Sequence, residues 1–160
     1  MKTPALKVAA ATMLALAAAG ASAEANVTYI NTAEMTDVPR HYKDLETMEF
    51  TFTELLKQLS GQLPAGQVLK VEFLDIDLAG DVFPRVPVRD IRVTKGQADW
   101  PRIHLRYSIE QDGKVIRSGE KKLADPNYQQ GINMYNQDLY AYEKQMLDTW
   151  FRKEILPAKP

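Results

Sequence analysis

The alternation of apolar and polar positions is strongest in residues 69–80, with the sequence LKVEFLDIDLAG. Up to Phe73 the apolar side chains fall on odd-numbered positions, and from Leu74 onward they fall on even-numbered ones. A period of two is typical of a strand with one buried face, and a change of parity indicates a bulge or a strand that buries a different face at each end. Both interpretations make this segment an interior strand on which neighbouring elements pack.

Between residues 44 and 61 the apolar positions follow a different spacing. They recur at intervals of three and four, the stripe of an amphipathic helix, at Leu45, Met48, Phe52, Leu55 and Leu59. A short alternation at residues 49–53 would also suit a strand. Because the three-four spacing continues over four turns, we predict a helix that ends near residues 61–64.

A β-hairpin is predicted from the alternating segment that begins at Ile103. Asp112-Gly113 interrupts this segment, and both residue types readily adopt the positive φ of a two-residue hairpin turn. A glycine in mid-strand, Gly119, indicates a bulge that shifts the register by one residue. With that shift, Ile103 is expected to lie opposite Leu123.

The remaining patterns complete the predicted fold. Residues 26–30 and 88–94 are predicted strands, residues 81–87 a surface loop held extended by two prolines, and Asn136 the cap of a final helix. The order of elements is β-α-β-β-β-β-α. We therefore predict an α+β domain with a mainly antiparallel sheet of about five strands and both helices packed on one face.

Residues 1–23 have the pattern of a cleaved export signal. Lys2 and Lys7 precede an apolar run over residues 8–19, and Ala21-Ser22-Ala23 supplies the small residues that a signal peptidase requires. The apolar run is too short for a stable membrane anchor, and no cysteine follows it that could carry a lipid. We expect cleavage after Ala23, a single domain over residues 24–160, and a periplasmic location.

Charge and cysteine content narrow the class of protein. The sequence has no cysteine, so an exported domain must be stable through packing, without disulfides. Loss of the export signal removes two of the 20 basic residues and none of the 21 acidic ones, which leaves a formal charge of −3. A nearly balanced charge gives no electrostatic reason to bind nucleic acid.

The sequence lacks the motifs of common catalytic sites. It has no cysteine, only two histidines, no Gly-x-Ser-x-Gly motif and no glycine-rich phosphate loop. Asp75, Asp77 and Gly80 match parts of a calcium loop, but Ala79 and Val86 fall where oxygen ligands are required. We therefore expect no catalytic residue, no metal site and no cofactor.

Seven residues near the ends of predicted strands are candidates for binding: Asp75, Asp77, Asp81, Asp99, Trp100, Arg102 and His104. A tryptophan exposed between Asp99 and Arg102 could bind a sugar ring, a peptide or a partner protein. The favoured interpretation is structural, with Trp100 covering the core and Asp99 paired with Arg102. His104 is interpreted as a surface histidine of the sheet.

Four separated blocks of the sequence resemble a known family. They are residues 69–80, 98–107, 113–120 and 142–151, which read LKVEFLDIDLAG, ADWPRIHLRY, GKVIRSGE and YEKQMLDTWF. Together they are similar to the bacterial exported family catalogued as domain of unknown function 3016. The resemblance implies a Gram-negative envelope protein, and it brings no activity, cofactor or catalytic residue.

Three hypotheses for function follow from these patterns. The leading one is a periplasmic accessory or binding module without catalytic activity, which recognises an envelope protein or glycan through a sheet face or through residues 81–87 and 99–102. The alternative is a hydrolase of envelope polymers that uses Asp75, Asp77, Asp81 or Asp99. A third is a structural subunit whose exposed strand edge pairs with a second copy.

Overall fold

The structure is a computed structural model that describes residues 23–83 and 91–156, so residues 1–22 of the predicted export signal lie outside it. The strands are β1 (Glu24–Tyr29), β2 (Gln67–Asp77), β3 (Asp81–Phe83), β4 (Ile91–Val93), β5 (Arg102–Gln111) and β6 (Lys114–Ala124). The helices are α1 (Tyr42–Ser60) and α2 (Ala141–Trp150), with a 3-10 turn at Thr32–Glu34 and a π-helical turn at Phe151–Ile155. The α+β class is confirmed, with one more strand between the helices than predicted.

The strands form two sheets. One has four strands in the order β1-β2-β5-β6, and the other contains only β3 and β4. β5 is antiparallel to both β2 and β6, whereas β1 is parallel to β2 because α1 returns the chain between them as a crossover. The main sheet is therefore mixed, and the expected single sheet of about five strands is divided into sheets of four and two.

The parity change near Leu74 is a β-bulge. Phe73 and Asp75 lie opposite consecutive residues of β5, so Leu74 is an extra residue in β2. The apolar side chains on both sides of the bulge, at Phe73 and Ile76, are fully buried. One inserted residue thus keeps the apolar side chains of β2 on the buried face and turns Asp75 and Asp77 to the opposite face.

The hairpin of β5 and β6 has the predicted turn. Asp112 and Gly113 both have positive φ, at 52° and 74°, as a two-residue hairpin turn that follows the twist of its strands requires. Ile103 lies opposite Leu123, as the sequence predicted. The expected pairing at the far end of the hairpin is therefore confirmed.

The bulge that produces this register is not at Gly119. It lies beside the turn, where Ile116 is the extra residue between Val115 and Arg117. Gly119 instead lies opposite Tyr107, and a Cβ atom at Gly119 would come within 2.9 Å of the Tyr107 ring. The close approach of the tyrosine, and not a bulge, explains the glycine at this position.

The predicted loop at residues 81–87 begins as a strand. Residues 81–83 form β3 and pair with β4 in antiparallel register. Residues 84–90 lie outside the described part of the chain, and they include the remainder of that loop and the first residues of the strand predicted at 88–94. β4 itself lies within that predicted strand.

Both helices cover the same face of the main sheet. Inward side chains of β2 and β5 form one apolar cluster with side chains of α1 and α2, and its fully buried members include Phe52, Phe73, Leu105 and Leu147. Each such side chain contributes about 1.5–3 kcal/mol to the free energy of folding. Among the described residues, the structure contains no helix with the length and apolar character needed to span a membrane.

The final helix begins later than the sequence suggested. Asn136 was the predicted cap, but α2 starts at Ala141. Tyr140 has a φ of 55°, a left-handed conformation that an α-helix cannot contain in its interior. Leu139, which precedes Tyr140 and lies outside α2, is 65% exposed.

Candidate functional site: the polar face of the sheet

The face of the main sheet opposite the helices is polar, and we call it the polar face. Outward positions of β2, β5 and β6 place four basic and five acidic side chains there: Lys70, Arg102, Arg106, Lys122, Glu72, Asp75, Asp77, Glu110 and Glu120. Most of these charges are paired across strands; Lys70 Nζ, for example, lies 2.7 Å from Glu110 Oε1. Such exposed pairs stabilise the fold by only about 0–1 kcal/mol each, but they leave the face nearly neutral.

Asp75 attaches the segment between β1 and α1 to this face. Its Oδ1 accepts a hydrogen bond from the backbone N–H of Thr36 at 2.7 Å, and its Oδ2 accepts one from the Thr36 hydroxyl at 2.8 Å. Hydrogen bonds to an ionised carboxylate are stronger than those between neutral groups. The bulge at Leu74 makes this contact possible, because it turns Asp75 outward.

Arg102 is held between a carboxylate and an aromatic ring. Its Nη1 lies 2.6 Å from Asp77 Oδ2, and its guanidinium group lies 4.5 Å from the ring centroid of Trp100. The predicted pairing of Asp99 with Arg102 is wrong, because Asp77 lies directly opposite Arg102 in the β2–β5 ladder. Trp100 is half-buried, so one part of its ring remains available beside the polar face.

Four side chains form a connected chain of hydrogen bonds and ion pairs across the middle of the polar face. His104 Nε2 lies 2.7 Å from Glu120 Oε1, and Arg106 lies 3.4 Å from Glu120 Oε2 and 3.0 Å from Glu72 Oε2. The hydrogen bond with His104, with a smaller contribution from Arg106, holds the pKa of Glu120 below its ordinary value. Glu120 is therefore ionised at neutral pH and orients both of its neighbours.

A shallow groove of about 320 Å³ crosses the polar face beside this chain. Its polar lining comes from Lys70, Glu72, Arg106, Ser108, Ser118 and Glu120. Ser108 and Ser118 lie directly opposite each other in the ladder. The groove thus offers hydroxyl, ammonium, guanidinium and carboxylate groups, which together provide both hydrogen-bond donors and acceptors.

Asp81 and Asp99 belong to a separate cluster at the base of the β3–β4 pair. Asp81 Oδ2 lies 2.9 Å from Lys95 Nζ, while Asp99 accepts hydrogen bonds from the Lys95 backbone N–H at 2.5 Å and from the Tyr128 hydroxyl at 2.9 Å. The backbone hydrogen bond from Lys95 lowers the pKa of Asp99. Burial, together with the hydrogen bond to Asp99, raises the pKa of Tyr128 to about 12. The hydrogen bonds of Asp99 therefore stabilise the turn that precedes β5.

Arg92 of β4 has a structural role that the sequence pattern did not indicate. Its Nη1 donates to Asp37 Oδ2 at 2.6 Å and to the carbonyl oxygen of Gly80 at 2.7 Å, and its Nη2 donates to Asp37 Oδ1 at 3.1 Å. These contacts attach the β3–β4 pair to the end of β2. All of its partners are at least twelve residues away along the chain, so no local motif could have revealed them.

Glu143 is a second residue whose structural role the sequence patterns did not indicate. It is only 3% exposed and accepts a hydrogen bond from the backbone N–H of Ala79 at 2.7 Å. Burial raises the pKa of its carboxyl group. A signal was present, because Glu143 precedes Leu147 by four residues and Trp150 by seven and so occupies a core position of the helix stripe.

The contacts divide the seven predicted residues into two groups. Asp75, Asp77, Trp100, Arg102 and His104 lie on or beside the polar face, whereas Asp81 and Asp99 both contact Lys95. Each of the four aspartates is engaged by a hydrogen-bond or ion-pair partner, and these contacts do not favour the hydrolase alternative. Within residues 23–83 and 91–156, no group of three or more histidine, aspartate or glutamate side chains could hold a metal ion.

Comparison with known proteins identifies the family of the chain. No curated protein and no solved structure matches it significantly. A family model described as "Protein of unknown function (DUF3016)" matches residues 23–153. The match includes the four sequence blocks on which the resemblance rested, and all residues of the polar face. The chain therefore belongs to the DUF3016 family of proteins of unknown function.

Proposed function

We propose that the chain is an exported, non-catalytic binding module of the bacterial cell envelope, and that it binds an envelope glycan on the polar face. The observation that carries this proposal is the groove of about 320 Å³ in a sheet face that neither helix covers. Ligand sites are concave and have a few convergent polar groups. The depression forms where the small side chains of Ser108 and Ser118 lie between the longer side chains of Arg106 and Glu120.

The charge of the polar face favours a neutral polar ligand. Its four basic and five acidic side chains are largely paired with each other, so a polyanion gains no net attraction there. The hydroxyl and acetamido groups of a glycan both donate and accept hydrogen bonds. Arg106, Glu120 and the two serines of the groove provide matching partners.

Trp100 adds an aromatic surface near the start of β5, six residues before Arg106 and outside the groove. Sugar rings present apolar C–H groups as well as hydroxyls, and a tryptophan offers an apolar ring together with a polar N–H. Arg102 covers the Trp100 ring at 4.5 Å and fixes its position. The combination of a positioned aromatic ring and a polar groove suits a glycan better than an apolar ligand.

Export is supported by the place where the folded domain begins. Residues 1–23 carry the pattern of an export signal. The family match begins at residue 23, and β1 begins at Glu24. The family domain thus starts where the predicted signal ends, as expected if the signal is removed without loss of any strand.

Nuclear magnetic resonance (NMR) titration of residues 24–160 tests glycan binding. The probe is N,N′-diacetylchitobiose, a neutral disaccharide with the acetamido groups found in envelope glycans, and maltose is the control sugar. We expect amide shifts around Ser108 and Ser118 with chitobiose only. Arg106→Ala should abolish these shifts, whereas Lys57→Ala, a matched change on α1, should leave them intact.

Shifts that fall outside the polar face, or equal shifts with maltose, would refute the assignment of this surface. The absence of any shift at millimolar chitobiose would refute recognition of this glycan class.

A further inference from the structure

The outer edge of β6 is unpaired. β6 is the last strand of the main sheet and is 11 residues long. Within residues 23–83 and 91–156, its backbone is hydrogen-bonded to β5 alone. A long free edge presents a row of N–H and C=O groups with which another strand can pair.

A second groove lies beside the C-terminal half of this edge, between β6 and α2. Its volume is about 400 Å³, and its apolar lining comes from Leu123, Met146 and Trp150. Its charged lining consists of Lys122 and Lys153, both exposed, together with Asp125 and Glu154. Neither lysine has an ion-pair partner among the described residues, whereas the neighbouring Lys121 is paired with Glu154 at 2.6 Å.

Trp150 lines this groove, and its indole group has an unpaired hydrogen-bond donor. Its Nε1 is buried and has no acceptor in the described part of the chain. Buried N–H groups are nearly always paired, because an unpaired one loses its hydrogen bond to water without replacement. Because Trp150 also lines the groove, its indole N–H signal reports on a ligand that binds there.

We propose that the edge of β6 and this groove bind an extended acidic segment of another protein, which adds to the main sheet as a fifth strand. In a strand, successive side chains point to opposite faces. Apolar side chains of the added strand then cover Leu123 and Met146 on the helix side, and acidic ones lie beside Lys122 on the polar face. Lys153 adds positive charge at the rim of the groove. This site is separate from the polar-face groove and does not depend on glycan binding.

The charge of β6 favours an acidic partner over a second copy of the chain. β6 carries four basic side chains and one acidic side chain. If two copies paired in antiparallel register about Gly119, Arg117 would lie opposite Lys121 and the two cations would repel each other. Lysines along an edge are a common means of preventing such self-pairing.

The experiment uses residues 24–160 and a blocked heptapeptide in which valine and glutamate alternate. The readout is the indole N–H signal of Trp150 in a ¹⁵N NMR spectrum. The chain contains two tryptophans, so Trp100→Phe identifies which signal belongs to Trp150. We expect the acidic peptide to shift this signal and the β6 amides, and a peptide with lysine in place of glutamate to shift neither.

Charge reversal of the two free lysines tests the role of charge. Lys122→Glu combined with Lys153→Glu should weaken peptide binding about tenfold, because the positive charge beside the acidic strand becomes negative. Both side chains are exposed, so the fold should be retained. The control is Lys43→Glu on α1, which packs against β1 at the opposite edge of the sheet and should leave binding unchanged.

Four results would overturn the proposal. They are equal binding of the lysine peptide, no binding of the acidic peptide, no effect of the charge reversal, and the same shifts with free glutamate. Chain association through β6 without peptide would also overturn it, in favour of a second copy. None of these results bears on the chitobiose titration, so the two proposals fail independently.

Discussion

The contact between Gly119 and Tyr107 makes a quantitative prediction about stability. A Cβ atom at Gly119 would lie 2.9 Å from Cε1 and 3.1 Å from both Cζ and the hydroxyl oxygen of Tyr107. Tyr107 is 7% exposed and packs edge-to-face against Trp150 at 5.6 Å, so its ring cannot move freely away. Gly119→Ala should therefore overpack this part of the core.

The magnitude is a difference between two opposing effects. Overpacking of a core costs about 1–3 kcal/mol. Replacement of a glycine whose φ is not positive gains about 0.4–1 kcal/mol, because the unfolded chain loses conformational freedom. Gly119→Ala should thus lower the free energy of unfolding by about 0.5–2 kcal/mol, which corresponds to a melting temperature lower by about 2–8 °C in a domain of this size.

Urea unfolding of residues 24–160 measures this effect, and a double-mutant cycle assigns it. In a Tyr107→Leu background the ring is absent, so Gly119→Ala should become neutral or stabilising, with a coupling energy of about 1 kcal/mol or more. Ser118→Ala, the neighbouring change on the polar face, should stay within about 0.5 kcal/mol of the wild type. If Gly119→Ala destabilised both backgrounds equally, the backbone and not the ring would explain the glycine.

Three further predictions concern other parts of the fold. Glu143→Gln should become more stable relative to the wild type as the pH rises above 4.5. In that range the carboxyl group of the unfolded wild type ionises, whereas burial raises the pKa of the carboxyl group in the folded wild type and so keeps its proton bound. Urea unfolding at several pH values measures the difference in stability, and a difference that did not change with pH would contradict this. Arg92→Ala should lower the free energy of unfolding by about 1.5–3 kcal/mol and make β4 accessible to limited proteolysis. Arg92→Lys should be nearly as harmful, because lysine cannot bind Asp37 through two nitrogens. Equal protease resistance of the wild type and both variants would refute this prediction. Expression of the full chain should yield a periplasmic product that begins at Glu24 by mass spectrometry, and an uncleaved cytoplasmic product would contradict export.

Features that depend on local sequence were predictable. The parity change at Leu74 indicated either a bulge or a change of buried face, and the structure has the bulge. Asp112-Gly113 indicated the hairpin turn, and both signals are encoded in a few adjacent residues. The stripe from Leu45 to Leu59 correctly placed α1. In each case the signal is a local spacing of apolar side chains or a residue with a special backbone preference.

Features that depend on distant partners were not predictable. β1 is parallel to β2 because α1 returns the chain between them, and the six residues of β1 do not encode this pairing. The predicted partner of Arg102 was its sequence neighbour Asp99, yet the ladder places Asp77 opposite it. Arg92 binds Asp37 across 55 positions of the chain, so a single sequence contains no pattern that joins them.

The bulge at Leu74 also determines which substitutions β2 will tolerate. Before it, odd-numbered positions such as Val71 are buried, and after it, even-numbered positions such as Ile76 are buried. A systematic mutational scan of this strand should therefore show a loss of stability at every second residue. The period should shift by one residue at Leu74. Deletion of Leu74 alone should leave every later side chain on its present face, because Phe73 and Asp75 already lie opposite consecutive residues of β5. Deletion of one residue elsewhere in β2 would instead turn the side chains beyond it to the opposite side of the sheet.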